Sequence, residues 1–142
     1  MAIDFNRKDL IQKALDNISH AYAPYSHFHV SAAVLMSDGK VYTGVNVENA
    51  SYPAGICAER NAIFHAIAQD KAAKLVAVAI VGGQNGKIQD YCAPCGVCRQ
   101  VMREFGNPEE IMVIMGKSTE DFKEITLAEL LPMSFGPEFL CL

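Results

Sequence analysis

An α/β domain in three layers, with helices on both faces of a central mixed β-sheet, is specified by three features of this chain. Apolar spacing switches between helical and strand periods along the length. One uninterrupted apolar run, Leu75-Val76-Ala77-Val78-Ala79-Ile80-Val81, has the length and β-branched content of a strand buried on both faces. Two cysteine-bearing segments each open a helical run just after a strand or its loop. That places both at the strand ends, where sheets of this kind form their crevice.

The elements follow in order. Arg7 to Ala21 reads as an amphipathic helix, with Leu10, Ile11, Ala14, Leu15, Ile18 and Ala21 on one side and Asn6 as N-cap. Val30 to Met36 and Val41 to Val47 are strands joined at Ser37-Asp38-Gly39-Lys40, where Asp-Gly signals a hairpin. Asn49 to Gly55 is a loop. A helix follows, with Cys57 at or near its start and Ala62, Ile63, Ala66 and Ile67 at helical spacing. The apolar strand from Leu75 comes next, then a loop from Gly82 to Ala93. Pro94 suits the entrance of a second helical run that carries Cys95 and Cys98 and ends at Gly106. A strand Ile111 to Met115, an extended piece Phe122 to Ile125 and a turn Leu127 to Leu131 close the chain. At 142 residues, 1–142 is expected to be one domain.

Composition excludes several classes. The hydrophobic fraction of 51% is ample for a core, yet no run is long enough to span a membrane. The net charge of −4, with no stretch that concentrates lysine or arginine, argues against a nucleic-acid face and for a small substrate. No repeat or low-complexity segment interrupts the chain. Five cysteines are an odd number, and Asp4, Asn6, Arg7 and Lys8 leave no room for a secretory signal. A reducing cytoplasm with free thiols is therefore expected. Cys141, away from the prenylation position, reads as a buried or incidental thiol.

Chemistry concentrates in Cys57-Ala58-Glu59 and Pro94-Cys95-Gly96-Val97-Cys98. A catalytic zinc site uses three protein ligands and keeps one position for water, whereas structural sites close with four. Cys57, Cys95 and Cys98 supply three thiols. Cys95 and Cys98 are three apart on a first helical turn, hence on one face. Glu59, two residues from Cys57, is placed to handle protons. Three thiolates around Zn²⁺ leave a net negative charge, so a compensating cation is expected. Two helix N-termini and Arg60 provide it; the plainer reading of Arg60 is a solvated surface ion pair. Two other readings use the same thiols. Cys92 could join the other three in a four-thiolate structural site, but it precedes Pro94 in an extended loop, and such a site leaves Glu59 idle. Disulfides suit neither the odd count nor the compartment.

These motifs, with three further blocks, resemble the zinc deaminase superfamily, and within it the small cytidine deaminases that act on free nucleosides. The further blocks are Pro24-Tyr25-Ser26-x-Phe28-x-Val30, Gly44-Val45-Asn46-Val47-Glu48-Asn49-Ala50-Ser51-Tyr52 and Leu130-Leu131-Pro132-x-x-Phe135-Gly136-Pro137. Ser31 departs from the pattern, standing where the family usually has glycine. The resemblance implies a cytidine deaminase-like fold, one Zn²⁺ per chain, and hydrolytic deamination of cytidine and 2′-deoxycytidine in pyrimidine salvage. The mechanism is the superfamily's own, carried over by resemblance: Glu59 moves protons while water attacks C4 and ammonia leaves.

Substrate residues are carried over in the same way. Asn46 and Glu48, two apart on a strand, would share a face; by themselves they fit a polar edge strand equally well. By resemblance they hold the ribose, Phe28 packs against the pyrimidine, and the Ala58 amide donates to its O2. The apolar tail reads as a contact surface. By resemblance the protein is a homotetramer in which Phe135 reaches another subunit's site and Tyr52 lies at a subunit boundary. The plainer reading has Phe135 plugging its own core. His20, His27, His29 and His65 match no metal position. Two other functions keep the zinc: deamination of a cytosine nucleoside antibiotic of the blasticidin S type, and a non-catalytic structural module that binds a partner.

Overall fold

Asn6 begins the first helix as its side chain accepts a hydrogen bond from the Asp9 amide at 3.1 Å. The helix, α1, spans Arg7–Asn17 and buries Leu10, Ile11 and Ala14. It is shorter than the apolar spacing predicts, because Ile18–His20 tightens into a 3₁₀ turn and the chain is extended at Ala21. The structure, a computed structural model, describes residues 4–140. The expectation for Cys141 lies outside them.

Five strands follow: β1 Phe28–Met36, β2 Val41–Val45, β3 Leu75–Gln84, β4 Met112–Gly116 and β5 Phe122–Thr126. They form one sheet in the order β2-β1-β3-β4-β5, in which only β3 and β4 run parallel. The hairpin between β1 and β2 turns at Gly39, whose φ of 86° suits a residue without a side chain. The remaining α-helices among the described residues are α2 Ala58–Gln69, α3 Gly96–Glu104 and the single turn α4 Leu127–Leu130, with 3₁₀ turns at Tyr52–Ala54 and Pro137–Leu140.

Side chains alternate along the strands, and the alternation divides the core in two. Ala33, Leu35, Ala77, Ala79, Val81 and Ile114 face α1. Ala32, Val34, Met36, Val78, Ile80 and Val113 face the opposite way and pack with Ala62 and Ile63 of α2 and Met102 of α3. The three-layer arrangement with a mixed sheet is therefore as expected. Among the described residues no helix is long and apolar enough to cross a membrane.

Strand limits differ from the sequence reading by one residue in β4 and β5 and by more in the strands that bear on the site, β3 continuing through the expected loop start at Gly82. β1 begins at Phe28, not Val30, because β3 runs on through Gly82 and Gly83 to Gln84 and gives Phe28 and His29 partners. β2 ends at Val45, so Asn46 and Glu48 lie beyond it in extended backbone, held by isolated bridges of Val47 to Tyr22 and Ile56.

A close approach positions α2. A Cβ on Gly44 would lie 2.5 Å from the Ala62 nitrogen and 2.8 Å from the Ala58 oxygen, both backbone atoms. The absent side chain lets the first turns of α2 lie directly on β2. The Asn61 side-chain amide then donates to the Val45 carbonyl at 3.0 Å, fixing the helix along the strand.

Candidate active site

Cys57 and Cys95 are the residues that immediately precede α2 and α3, each with extended backbone and no capping hydrogen bond from its side chain. Their thiols are thus free of the role that an N-cap side chain usually performs. Cys98 follows on the first turn of α3. The three sulfur atoms converge within 4.8 Å of one another, and Cys57 Sγ lies 3.7 Å from Cys95 Sγ. Tetrahedral zinc with Zn–S of 2.3 Å requires S···S separations of about 3.8 Å. The donor set and its spacing therefore fit one zinc ion per chain. No histidine joins the cluster among the described residues.

The electrostatics of the trio agree. A hydrogen bond from Cys98, helped by Arg60 and Cys95, pulls the Cys57 thiol down to about 5. Cys98 is pushed up in return, by that hydrogen bond to Cys57 and by burial. Protein groups alone therefore favour one thiolate in this pair. A dication supplies the positive charge that lets further thiols deprotonate.

Arg60 Nη2 donates to Cys57 Sγ at 3.3 Å, and its guanidinium is held more firmly protonated by that contact. Its Nε is buried without a partner. A solvated surface ion pair does not describe this side chain. Glu59 is 4% exposed on the buried face of α2. Burial raises its carboxyl above the ordinary value, and the negative charge at Cys57 adds to the shift. A carboxyl so raised can both take and release protons nearer neutrality.

Cys92 stands apart from the cluster. Its sulfur lies where a Cβ on Gly82 would be 3.0 Å away, and burial pushes its thiol up to about 11. The four-thiolate arrangement is not formed.

A cleft of about 620 Å³ opens in front of these groups. It is lined by Phe28, Asn46, Glu48, Tyr52 and Ala58, together with Cys57, Glu59, Arg60 and Cys95. The structure thus brings all the sequence-selected residues into one cleft except Cys98, buried behind it, and Phe135. Phe135 is neither in the cleft nor in the core: it is 54% exposed and stacks on Phe139 with ring centroids 5.1 Å apart.

Asn46 and Glu48 are engaged differently from the expectation. The Asn46 side chain bridges to β1, accepting from the Val30 amide at 2.9 Å and donating to the Phe28 carbonyl at 2.8 Å. It continues the ladder that β2 abandons. Glu48 Oε1 accepts from the amides of Tyr25 at 3.0 Å and Ser26 at 3.1 Å, and Oε2 accepts from the Ser26 hydroxyl. The hydroxyl bond, with the Ser26 amide, holds the Glu48 carboxyl below the ordinary range. A carboxylate has about four acceptor sites, so one remains for a ligand. The sequence reading missed Tyr25 and Ser26 as parts of this wall. Their place in a quoted block, next to Phe28, was the available signal.

A mixed-sheet α/β domain with three convergent thiols beside a buried acid defines a class, the zinc-binding domains built to work on a ligand in a cleft. Within that class the chain belongs to the cytidine and deoxycytidylate deaminase family, whose zinc-binding region matches residues 5–115. A cytidine deaminase of Halalkalibacterium halodurans is 44% identical over 133 residues, covering 94% of this chain and 96% of that protein. The crystal structure of cytidine deaminase from Burkholderia pseudomallei superposes with a TM-score of 0.78 at 42% identity, covering 89% of this chain and 97% of that one. That from Mycobacterium tuberculosis gives 0.77 at 38% identity, over 94% and 99%.

Proposed function

We propose that this chain, acting as one domain, catalyses hydrolytic deamination of free cytidine and 2′-deoxycytidine to uridine and 2′-deoxyuridine with release of ammonia. The observation that carries the reading is the convergence of Cys57, Cys95 and Cys98 beside buried Glu59 at the end of a nucleoside-sized cleft. Relatives named cytidine deaminase at 44% and 40% identity support the substrate.

Cys57, Cys95 and Cys98 hold the zinc. When bound, zinc acts as a Lewis acid that lowers the pKa of water toward neutrality. Glu59 takes a proton from the attacking water and delivers it to ring N3. It then carries a proton to the amine leaving C4, so water is consumed and ammonia released for each uridine formed. Arg60 offsets the excess negative charge of the thiolates. The Ala58 amide, the first of α2 and free of an intrahelical partner, donates to the pyrimidine O2. Phe28 packs on the base. The remaining acceptor site of Glu48 and the unused donor and acceptor of Asn46 hold the sugar hydroxyls.

The reading extends to a homotetramer in a reducing cytoplasm, where the thiols stay unpaired. Exposed Tyr52 and Phe135 support it, since both are large and apolar and lie outside their own chain's core. Tyr52 sits at a subunit boundary and Phe135 reaches a neighbour's pyrimidine.

The deciding experiment incubates the zinc-loaded protein separately with cytidine, 2′-deoxycytidine, cytosine and blasticidin S, and follows ultraviolet absorbance and ammonia. Turnover of both nucleosides with little of cytosine is expected. Turnover confined to blasticidin S, or of none, would overturn the proposal.

A further inference from the structure

The C-terminal tail is held to the molecule by polar contacts rather than by burial of its aromatic side chains. Phe135, Phe139 and Leu140 are 54%, 62% and 69% exposed. Helix α3, which also carries Cys98, holds the tail along its length. Arg99 donates to the Leu130 carbonyl at 2.8 Å, and Gln100 to the Phe135 carbonyl at 2.9 Å. Arg103 makes the largest set of contacts. It is 9% exposed, its Nε donates to Ser134 Oγ at 2.7 Å, and its Nη2 pairs with the Glu138 carboxylate. Between those two residues the tail passes against the guanidinium itself: a Cβ on Gly136 would lie 2.3 Å from Arg103 Cζ. A planar fork can meet both acceptors at once, which an ammonium on a flexible stem does less well.

We propose that Arg103 is a positioning residue that clamps the tail at Ser134, Gly136 and Glu138 and thereby sets where Phe135 is presented. The clamp goes beyond the metal chemistry, but its effect on substrate rests on the reading of Phe135 as part of a neighbour's site. Phe135 lies between two clamped residues and is itself fastened by its carbonyl, so its ring direction follows from the backbone that Arg103 holds. Because Gln100 and Arg103 stand on the helix of Cys98, the metal centre and the tail aromatic share one support. Replacing Arg103 strands no buried charge, since the Glu138 side chain is 53% exposed and returns to water.

The test compares Arg103→Met, Arg103→Lys, Gly136→Ala and Phe135→Ala zinc-loaded enzymes with the parent. It measures zinc content, kcat and KM for cytidine, and hydrogen exchange of the tail amides, chiefly that of Phe139, which donates to the Gly136 carbonyl at 3.1 Å. Arg103→Met and Gly136→Ala should speed exchange in the tail and raise KM by about tenfold, the scale of one lost charge-assisted hydrogen bond. Zinc content should be unchanged and kcat little altered. Arg103→Lys should fall between these and the parent, and Phe135→Ala should raise KM without loosening the tail. Tail exchange unchanged in Arg103→Met would overturn the clamp. A loosened tail with parental KM, while Phe135→Ala still raises KM, would overturn the positioning role. Parental KM in both variants would instead refute the reading of Phe135 and the proposal with it.

Discussion

Ala58 and Glu59 at the cleft, and Cys98 behind it, are buried on helices, whereas exposed Tyr25 and Ser26 and half-buried Glu48 line the same cleft from irregular backbone. The two regions are stabilised by different means. The helical region is held by apolar packing on β1 and β2, by the close approach at Gly44 and by the Asn61 bond to Val45. The irregular region is held by a carboxylate that gathers two amides and a hydroxyl around itself. The first arrangement is dry and fixes atoms closely, as proton transfer requires. The second is wet and rests on a few charge-assisted hydrogen bonds, and its carboxylate keeps one acceptor site that a ligand hydroxyl can take without displacing them.

Substitutions on the helical side should separate from those on the loop side in the kinetic constant they change. The largest effect is expected for Glu59→Gln, which keeps zinc and fold but cannot shuttle protons. Loss of a general acid–base typically lowers kcat by about 10²–10⁴-fold, and in the proposed mechanism Glu59 acts more than once per cycle. A near-parental kcat would remove the distinction between the two regions. Cys98→Ala should lose zinc and activity together, while Cys92→Ala keeps one zinc per chain by atomic absorption. Zinc retained by the first and lost by the second would reverse the assignment of the cluster.

On the loop side, Glu48→Ala should raise KM by about ten- to a hundredfold, the scale of hydrogen bonds to a charged group, with zinc content unchanged. The same carboxylate ties the turn to pH. Its folded value lies below the ordinary 4.5. The stabilisation it contributes is therefore fully present above that ordinary value and lost as pH falls through the lowered one. Protection of the Tyr25 and Ser26 amides against hydrogen exchange should fall in step. The smallest effect belongs to neither region. Ser31 Oγ is fully buried in β1 without a hydrogen-bond partner. Ser31→Ala should raise stability by about 1 kcal/mol, read by urea unfolding, and leave kcat and KM alone.

Much of the helical side was legible in sequence because local rules govern it. The spacing of Cys95 and Cys98, the alanine-rich run after Cys57 and the Asp-Gly hairpin each need only a few neighbouring residues. The loop side was less legible. Asn46 and Glu48 are close in sequence, but their partners, Phe28, Val30, Tyr25 and Ser26, are 16 to 23 positions away. Nothing local says that a carboxylate will be drawn to a turn before it can meet a sugar. Arg103 reads as an ordinary polar residue of a helix, since its contacts at Ser134 and Glu138 appear only when the tail folds back. Asn61 and Gly44 are equally silent until the helix and strand are brought together.

Cys57 and Cys95 each occupy the position where a serine or aspartate would ordinarily cap the start of a helix, and neither caps its own. An ion joined to both sulfurs would therefore tie together the starts of α2 and α3. Binding that favours the folded chain over the unfolded one adds RT ln(1 + [L]/Kd) to stability. The amount of intact enzyme in a cell would then depend on free zinc as well as on synthesis. Under zinc scarcity the protein would lose resistance to proteolysis along with turnover, making its abundance a readout of metal supply.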